Sequence, residues 1–450
     1  MKLHHSLIMW LLLCLSPAGL LAQTPPMTLR QAINRALGLN PQAQIARADD
    51  ASATAAAHLA RTQLLPQLSF TEDISRGNDP VYAFGERLRQ GRFTQSDFAL
   101  NALNHPLPIG NFATGFSGNW LLFDSWKTER DIHSADMARK SAASTTKAVN
   151  QQIVLRVVDA YQAVLYAERK VDVAQHEQRT AEALLTQVDQ RVKAGLAVES
   201  DRMAAEVNLA ARKQDLIAAR GDLELAWADL RNAMGAPNLA ASQLQPIQPH
   251  SFPQSTLAEE LATAEKKRPD LMALGQAQQA QGAAVGAARS SFGPTVSAYG
   301  DWEDDRPSWT SPGDNNWVAG VRISIDILPI GKRDQLAQQT AAKDRLDAQM
   351  TQAQQQIRLQ VSRAHIQRQT AELSLQTARA AMTQSAEDLR ILRNRYNAGL
   401  ATITDLLRAG DAERQSQSNY WHAVYGNAMA YAQLLYAEGT LTPDAAEGLQ

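Results

Sequence analysis

Arg191-Val-Lys-Ala-Gly-Leu-Ala-Val-Glu-Ser-Asp201 returns as Arg395-Tyr-Asn-Ala-Gly-Leu-Ala-Thr-Ile-Thr-Asp405, 395 − 191 = 204 residues later and without a gap. Each copy closes one long periodic segment and opens another. Gly195 and Gly399 are expected to stop a helix, because glycine alone enters the left-handed cap conformation without steric cost. Ser200 and Thr404, each followed by an aspartate, offer side-chain oxygens to start the next helix. Each copy therefore reads as the tip of a helical hairpin, and the chain as two such hairpins.

A second repeat lies upstream of each hairpin. Asn40-Pro41 and Arg268-Pro269 each begin a helix, and a further proline ends it 25 residues later, at Pro66 and Pro294. The offset here is 269 − 41 = 228, so 228 − 204 = 24 extra residues must lie in the first half, between Pro66 and Gly195. Before Asn40, Thr28 is placed to cap a short amphipathic helix with Leu29, Ile33 and Leu37 on one face.

After each second proline the hydrophobic period drops from 3.6 to 2. Leu68, Phe70 and Ile74 alternate with polar residues, as do Val296, Ala298 and Trp302. Two further strands follow: Phe112, Phe116, Trp120 and Leu122 share a face, and Trp317, Ala319, Val321, Ile323, Ile325 and Ile327 oppose Arg322, Ser324 and Asp326. Apolar outside and polar inside over about ten residues is the pattern of a membrane β-barrel strand. Half-buried strands of a soluble sheet can show it too. Four strands cannot close a barrel, and an open edge cannot face lipid because its N–H and C=O groups would lack partners. If these strands span a membrane, several copies must share one barrel. The extra residues of the first half fall between its strands, roughly 76–111. That stretch reads either as a loop narrowing the mouth or binding a surface partner, or as ordinary surface decoration.

Long helical segments follow each strand pair. The first runs from about Trp126 to Lys193, a rod of about 100 Å. Leu209, Leu216, Leu223 and Leu230 on the return helix stand seven apart, a coiled-coil seam. The fold class expected is thus mixed α and β, with long antiparallel helical hairpins, four strands per protomer and two internal repeats. The divisions are a signal peptide over 1–22, a first repeat over 23–237, a linker over 238–268, a second repeat over 269–439 and a flexible tail over 440–450. The signal reading rests on Lys2, the apolar run from Leu7 to Leu15 and the small residue Ala22; Cys14 is expected to leave with it.

A formal net charge of −2 argues against a nucleic-acid partner. No phosphate loop, metal-binding motif or nucleophile–base pair is recognisable, and the histidines are scattered over different segments. No cofactor, metal or catalytic residue is expected, so an enzyme is disfavoured. Two readings remain: a membrane duct, or a soluble periplasmic coiled-coil scaffold with a small sheet.

In its doubled Ala-Gly-Leu-Ala tip and its twice-repeated order of helix, two strands and long hairpin, nearly the whole mature chain resembles the TolC-type outer-membrane channel family. The resemblance implies a homotrimer in outer-membrane lipid, a twelve-stranded barrel and a helical tunnel across the periplasm. It also implies a passive duct for efflux or type I secretion, partnered by a periplasmic adaptor (a membrane fusion protein) and an inner-membrane transporter. It places the tunnel's periplasmic constriction at Asp201, Tyr396 and Asp405. Where the family can carry a tip arginine and a second aspartate ring, this chain has Ala401 and Arg408. The exposed turns Gly195-Leu196-Ala197 and Gly399-Leu400-Ala401 are the expected adaptor-docking tips.

Overall fold

The fold was read from a computed structural model that describes residues 26–246 and 252–449. The signal peptide and Cys14 lie outside them, as do Pro249 and His250 of the linker. In chain order come α1 (Leu29–Leu39), α2 (Pro41–Thr62), β1 (Gln67–Gly77), α3 (Pro80–Arg89), α4 (Leu100–Asn104) and β2 (Ile109–Phe123). The first hairpin follows as α5 (Lys127–Lys193) and α6 (Glu199–Met234). The second half is α7 (Leu257–Lys267), α8 (Pro269–Ser290), β3 (Thr295–Arg306), β4 (Asp314–Ser324), α9 (Lys332–Asn397), α10 (Ile403–Ala437) and α11 (Pro443–Glu447). No helix among the described residues is long and apolar enough to cross a membrane.

The four strands form one antiparallel sheet in sequence order, and β1 and β4 are its edges. Register fixes the two faces. Phe70 lies opposite Phe116, Phe116 opposite Trp302, and Trp302 opposite Trp317, so one aromatic row crosses the sheet. Adjacent rings in it stand 5.3 and 5.8 Å apart at the first two steps. Leu68, Ile74, Val321 and Ile323 share this face and are exposed. The opposite face carries Ser69, Ser117, Asn119, Ser297, Asp301 and Arg322. Towards the end of the sheet away from the long helices, a polar row of Glu72, Thr114 and Asp304 interrupts the apolar face, and Arg306 from the next row reaches Glu72 at 3.3 Å and Asp304 at 3.4 Å. The last strand is shorter than its side-chain alternation suggests. Ser324 pairs with Thr295, the first residue of β3, so Ile325 and Ile327 run past their partner and lie outside the sheet.

The helices pack by small residues. On α8, Ala273 and Ala280 let α5 approach closely enough for Ser141 Oγ and Ser134 Oγ to donate to their carbonyls at 2.8 Å. The main core lies midway along the first hairpin, where Ile153, Val157, Tyr161 and Val164 of α5 meet Leu29 and Ile33 of α1 and Leu230 of α6. Tyr161 is fully buried, and its hydroxyl lies 2.8 Å from Met27 O and 2.9 Å from Gln245 O. Along the seam of α6, Leu216 and Leu230 are buried while Leu209 and Leu223 are half-buried.

The 228-residue offset reaches further upstream than the prolines. Leu29 + 228 is Leu257 and Leu39 + 228 is Lys267, so α7 is the second copy of α1. Thr28–Gln31 and Thr256–Glu259 form the same capping box at their starts. The expected linker is therefore helical over its last third. The tail also differs from expectation: α11 folds back on α1, with Arg30 bonded to Asp444 at 2.9 Å and to Glu447 at 2.8 Å, and Leu441, Ala446 and Leu449 are fully buried. Three apolar side chains among polar ones anchor a segment that its composition makes look frayed.

The two halves close on themselves in one way. Asn40 Nδ2 donates to Ala233 O at 2.8 Å, and Arg268, its counterpart before Pro269, donates from Nη1 to Ala437 O at 3.1 Å. Each return helix thus ends against the start of its own proline helix. Gly235 and Gly439 sit at those junctions with φ of +67° and +74°.

Candidate functional site

Each long hairpin turns at its far end through one left-handed glycine, Gly195 with φ +74° and Gly399 with φ +76°. At both turns the Leu N–H bonds back to an arginine carbonyl at 2.8 Å, Leu196 to Arg191 and Leu400 to Arg395. This closes the helix C-terminus as a Schellman-type cap. The following helices start differently. Thr402, not Thr404, is the N-cap of α10, and it forms a full capping box with Asp405. The box needs the acid three positions after the cap, a spacing that Thr404 next to Asp405 cannot offer. In the first copy Val198 stands at the cap position without a side-chain bond, and Ser200 is already helical. Leu196 and Leu400 project from the turns, 71% and 69% exposed.

Behind the turns the two hairpins lock together. Tyr396 is buried with Val188, Ala205, Ile403 and Leu406. Arg191 of the first hairpin lies 4.9 Å from its ring centre and donates to its carbonyl at 3.2 Å. Gln187 Nε2 donates to Asn397 Oδ1 at 2.9 Å. The Tyr396 hydroxyl is buried and has no hydrogen-bond partner among the described residues. Burial holds it above the ordinary phenol range; the charge of Arg191 opposes this, and the charge of Asp201 adds a smaller push upward. Asp201 thus acts on Tyr396 through its charge, with no hydrogen bond between the Tyr396 hydroxyl and any group among the described residues. Asp405 accepts from the Thr402 hydroxyl at 2.7 Å and from its N–H at 3.1 Å. Those bonds, with Arg408 and Arg395 nearby, hold its carboxyl below the usual carboxylate range. Arg408 is exposed.

Further from the tip, a cavity of about 500 Å³ opens between the hairpins, lined by His176, Glu177, Arg212, Arg393, Asp411 and Glu413 among others. Arg212 of α6 crosses to Asp411 of α10 at 2.9 Å and also meets Asp215 at 3.1 Å. Burial, and then the like charge of Glu413, push the Glu177 carboxyl up. Neither this cluster nor the Arg191–Tyr396 stack stands out in the sequence. Arg191 is visible as the start of the repeated tip, but Arg212 is one of many charges on a long helix. Among the described residues no group of three or more His, Cys, Asp or Glu side chains is placed to hold a metal ion.

Comparison with known proteins agrees with this architecture. "Protein CyaE" of Bordetella pertussis is 26% identical over 296 residues, 64% of this chain, and the match spans 62% of that protein's length. "Outer membrane protein TolC" of Vibrio cholerae is 23% identical over 427 residues, 92% of this chain and 91% of its own. The fold matches the open-state Neisseria gonorrhoeae MtrE outer membrane channel with a TM-score of 0.75 at 20% identity, over 92% of this chain and 91% of that one. The family described as "Outer membrane efflux protein" matches residues 32–236 and 261–440, which take in both proline helices, all four strands and both tips. With nearly all of both repeats, the four-stranded sheet and both glycine-capped hairpins inside the matched residues, the chain belongs to the outer membrane efflux protein family.

Proposed function

We propose that three copies of this chain form a passive duct across the outer membrane and the periplasm, serving efflux or secretion. The observation that carries this reading is the sheet: its apolar face is exposed, its other face is mostly polar, and both edges, β1 and β4, lack partners among the described residues. Three such sheets joined edge to edge give twelve strands, enough to enclose a water-filled lumen. The helical hairpins extend the lumen into the periplasm, and the tips close it. Energy comes from an inner-membrane transporter. The Leu196 and Leu400 turns dock a periplasmic adaptor, which covers apolar side chains that otherwise face water. Cysteines at Ala197 and on an adaptor tip should crosslink in cells; a panel of such pairs that never crosslinks places the contact elsewhere.

Asp405 supplies the charge of the constriction. Bonds from Thr402 favour its charged form, so three copies around an axis form an anionic ring at neutral pH. The purified protein in a planar bilayer should show cation-selective single channels, and Asp405→Asn should cut that selectivity several-fold. Absence of any channel activity, with a monomeric protein that washes off membranes in carbonate, would favour the soluble scaffold instead. Channels with unchanged selectivity in Asp405→Asn would remove the ring alone.

A further inference from the structure

The 31-residue connection between β1 and β2 (78–108) exceeds the 7-residue connection between β3 and β4 (307–313) by 31 − 7 = 24. That equals the difference between the two repeat offsets, so the whole insertion sits at the end of the sheet away from the long helices. It is a small folded unit. Phe84, Phe93 and Phe98 stack edge to face at 4.8 and 5.0 Å, Arg87 pairs with Asp97, and Asp79 caps α3 through the Tyr82 N–H at 2.9 Å.

Its direction follows from which side chains it touches. Tyr82 Oη meets Ser75 Oγ at 2.8 Å. Gln90 Nε2 donates to Asn111 Oδ1 at 3.0 Å and to Gly110 O at 2.9 Å. Asn111 Nδ2 in turn bonds Glu86 at 2.5 Å and Asp305 at 2.6 Å. Arg89 reaches Glu303 at 3.3 Å, and Asn316 Nδ2 donates to the Arg89 carbonyl at 3.3 Å. Ser75, Asn111, Glu303, Asp305 and Asn316 all fall on the register positions of the polar face; none lies on the face of the Phe70–Trp317 row. Asn111, Asp305 and Gln90 are buried by these contacts. On the far side of α3, Val81 and Leu88 stand one above the other, 80% and 50% exposed.

We infer that the insertion is an inward-folded gate at the outer mouth of the duct, latched to the lumen wall through Asn111 and closed by contact between the Val81–Leu88 stripes of three copies. The second copies are the natural cover, because the stripe points away from the wall that three sheets would share. The inference rests on the duct reading above. Buried polar bonds hold α3 against the wall, and an apolar seam holds the copies together, so the gate has two separable parts.

The test uses cysteine labelling in intact cells, since residues 26–450 contain no cysteine. Asn119→Cys places a thiol on the polar face beneath the insertion, and Thr310→Cys places one on the exposed β3–β4 connection. With the natural insertion, a small charged maleimide should label both thiols, and a maleimide on a bulky polyethylene glycol should label Thr310→Cys alone. Adding Asn111→Ala and Gln90→Ala, or separately the surface changes Val81→Ser and Leu88→Ser, should speed bulky labelling of Asn119→Cys at least tenfold. The surface pair leaves the buried bonds intact and so covers the case where the latch variant does not fold. Equal bulky labelling of Asn119→Cys with and without these changes, while Thr310→Cys reacts, overturns the gate and spares the duct. Failure of Thr310→Cys to react from outside overturns the duct reading, and the gate with it.

Discussion

Gly439→Ala should destabilise the protein by roughly 2–5 kcal/mol, and Gly195→Ala, at the same backbone angle, by about 1–2 kcal/mol. Both residues have φ of +74°. An alanine there meets the left-handed penalty of about 1–2 kcal/mol wherever it stands. What separates them is space. A Cβ on Gly195 has nothing within 4 Å, whereas one on Gly439 would sit 2.6 Å from Arg268 Cα and 2.9 Å from Lys267 O. Those are backbone atoms, so the helix junction itself must part, and the Arg268 bond to Ala437 O goes with it. Overpacking of that kind adds about 1–3 kcal/mol. Gly235 repeats the situation against Asn40, with its Cα 2.8 Å away. Urea midpoints of the purified variants decide the matter. Equal midpoints for Gly439→Ala and Gly195→Ala would show that the junction yields freely.

The second large effect is expected at Arg212. Arg212→Ala should loosen the hairpins at the tip end and raise single-channel conductance several-fold. The guanidinium is 10% exposed and joins α6 to α10 through Asp411. Without it, Glu177, Asp411 and Glu413 share the cavity wall, with His176, Arg393 and Arg414 left as the nearby basic side chains. The leak should depend on pH in a definite direction. The Glu177 carboxyl titrates above its ordinary range in the fold, so the folded protein holds that proton more tightly than the unfolded chain does. Its contribution to stability is therefore most favourable in acid and falls as pH rises from the ordinary carboxylate range through the raised value. Removing Arg212 raises the cost of ionisation further, so the variant should conduct more once the pH is above the raised Glu177 range and tighten as the pH falls through it. Asp411→Asn, which removes one acid and keeps the arginine, should open the tunnel less. Conductance traces of Arg212→Ala that match the parent at every pH would rule out the strut.

The features legible in the sequence are those written in backbone conformation or in strict periods. Gly195 and Gly399 announce the tips because few other residues adopt that angle, and the strands announce themselves because their side chains alternate. Element ends are less legible. Thr404 beside Asp405 looks like a cap, but the geometry selects Thr402, three residues before the acid. Helix α7 hides behind a proline-rich stretch, although Thr256 and Glu259 repeat Thr28 and Gln31 and could have revealed it. The polar links between hairpins are the least legible. Arg212 and Asp411 are 199 residues apart, and only the packing of α6 beside α10 makes them partners. Likewise, the inward turn of the insertion depends on strand register, since a shift of one residue would send Asn111 to the other face.

The unpaired rims of the sheet bear on how a cell tolerates damaged copies. If three copies share one barrel as proposed, a chain with β1 and β4 as open borders completes its folding only when siblings supply the missing neighbours. Until then it must be shielded from casual β-pairing on its way to the bilayer. A defective sibling that still offers one good border would enter assemblies and spoil them, so with equal synthesis of sound and faulty chains only about one assembly in eight would be wholly sound. Inherited faults confined to β1 or β4 should therefore behave as dominant, and faults that unfold the chain outright as recessive.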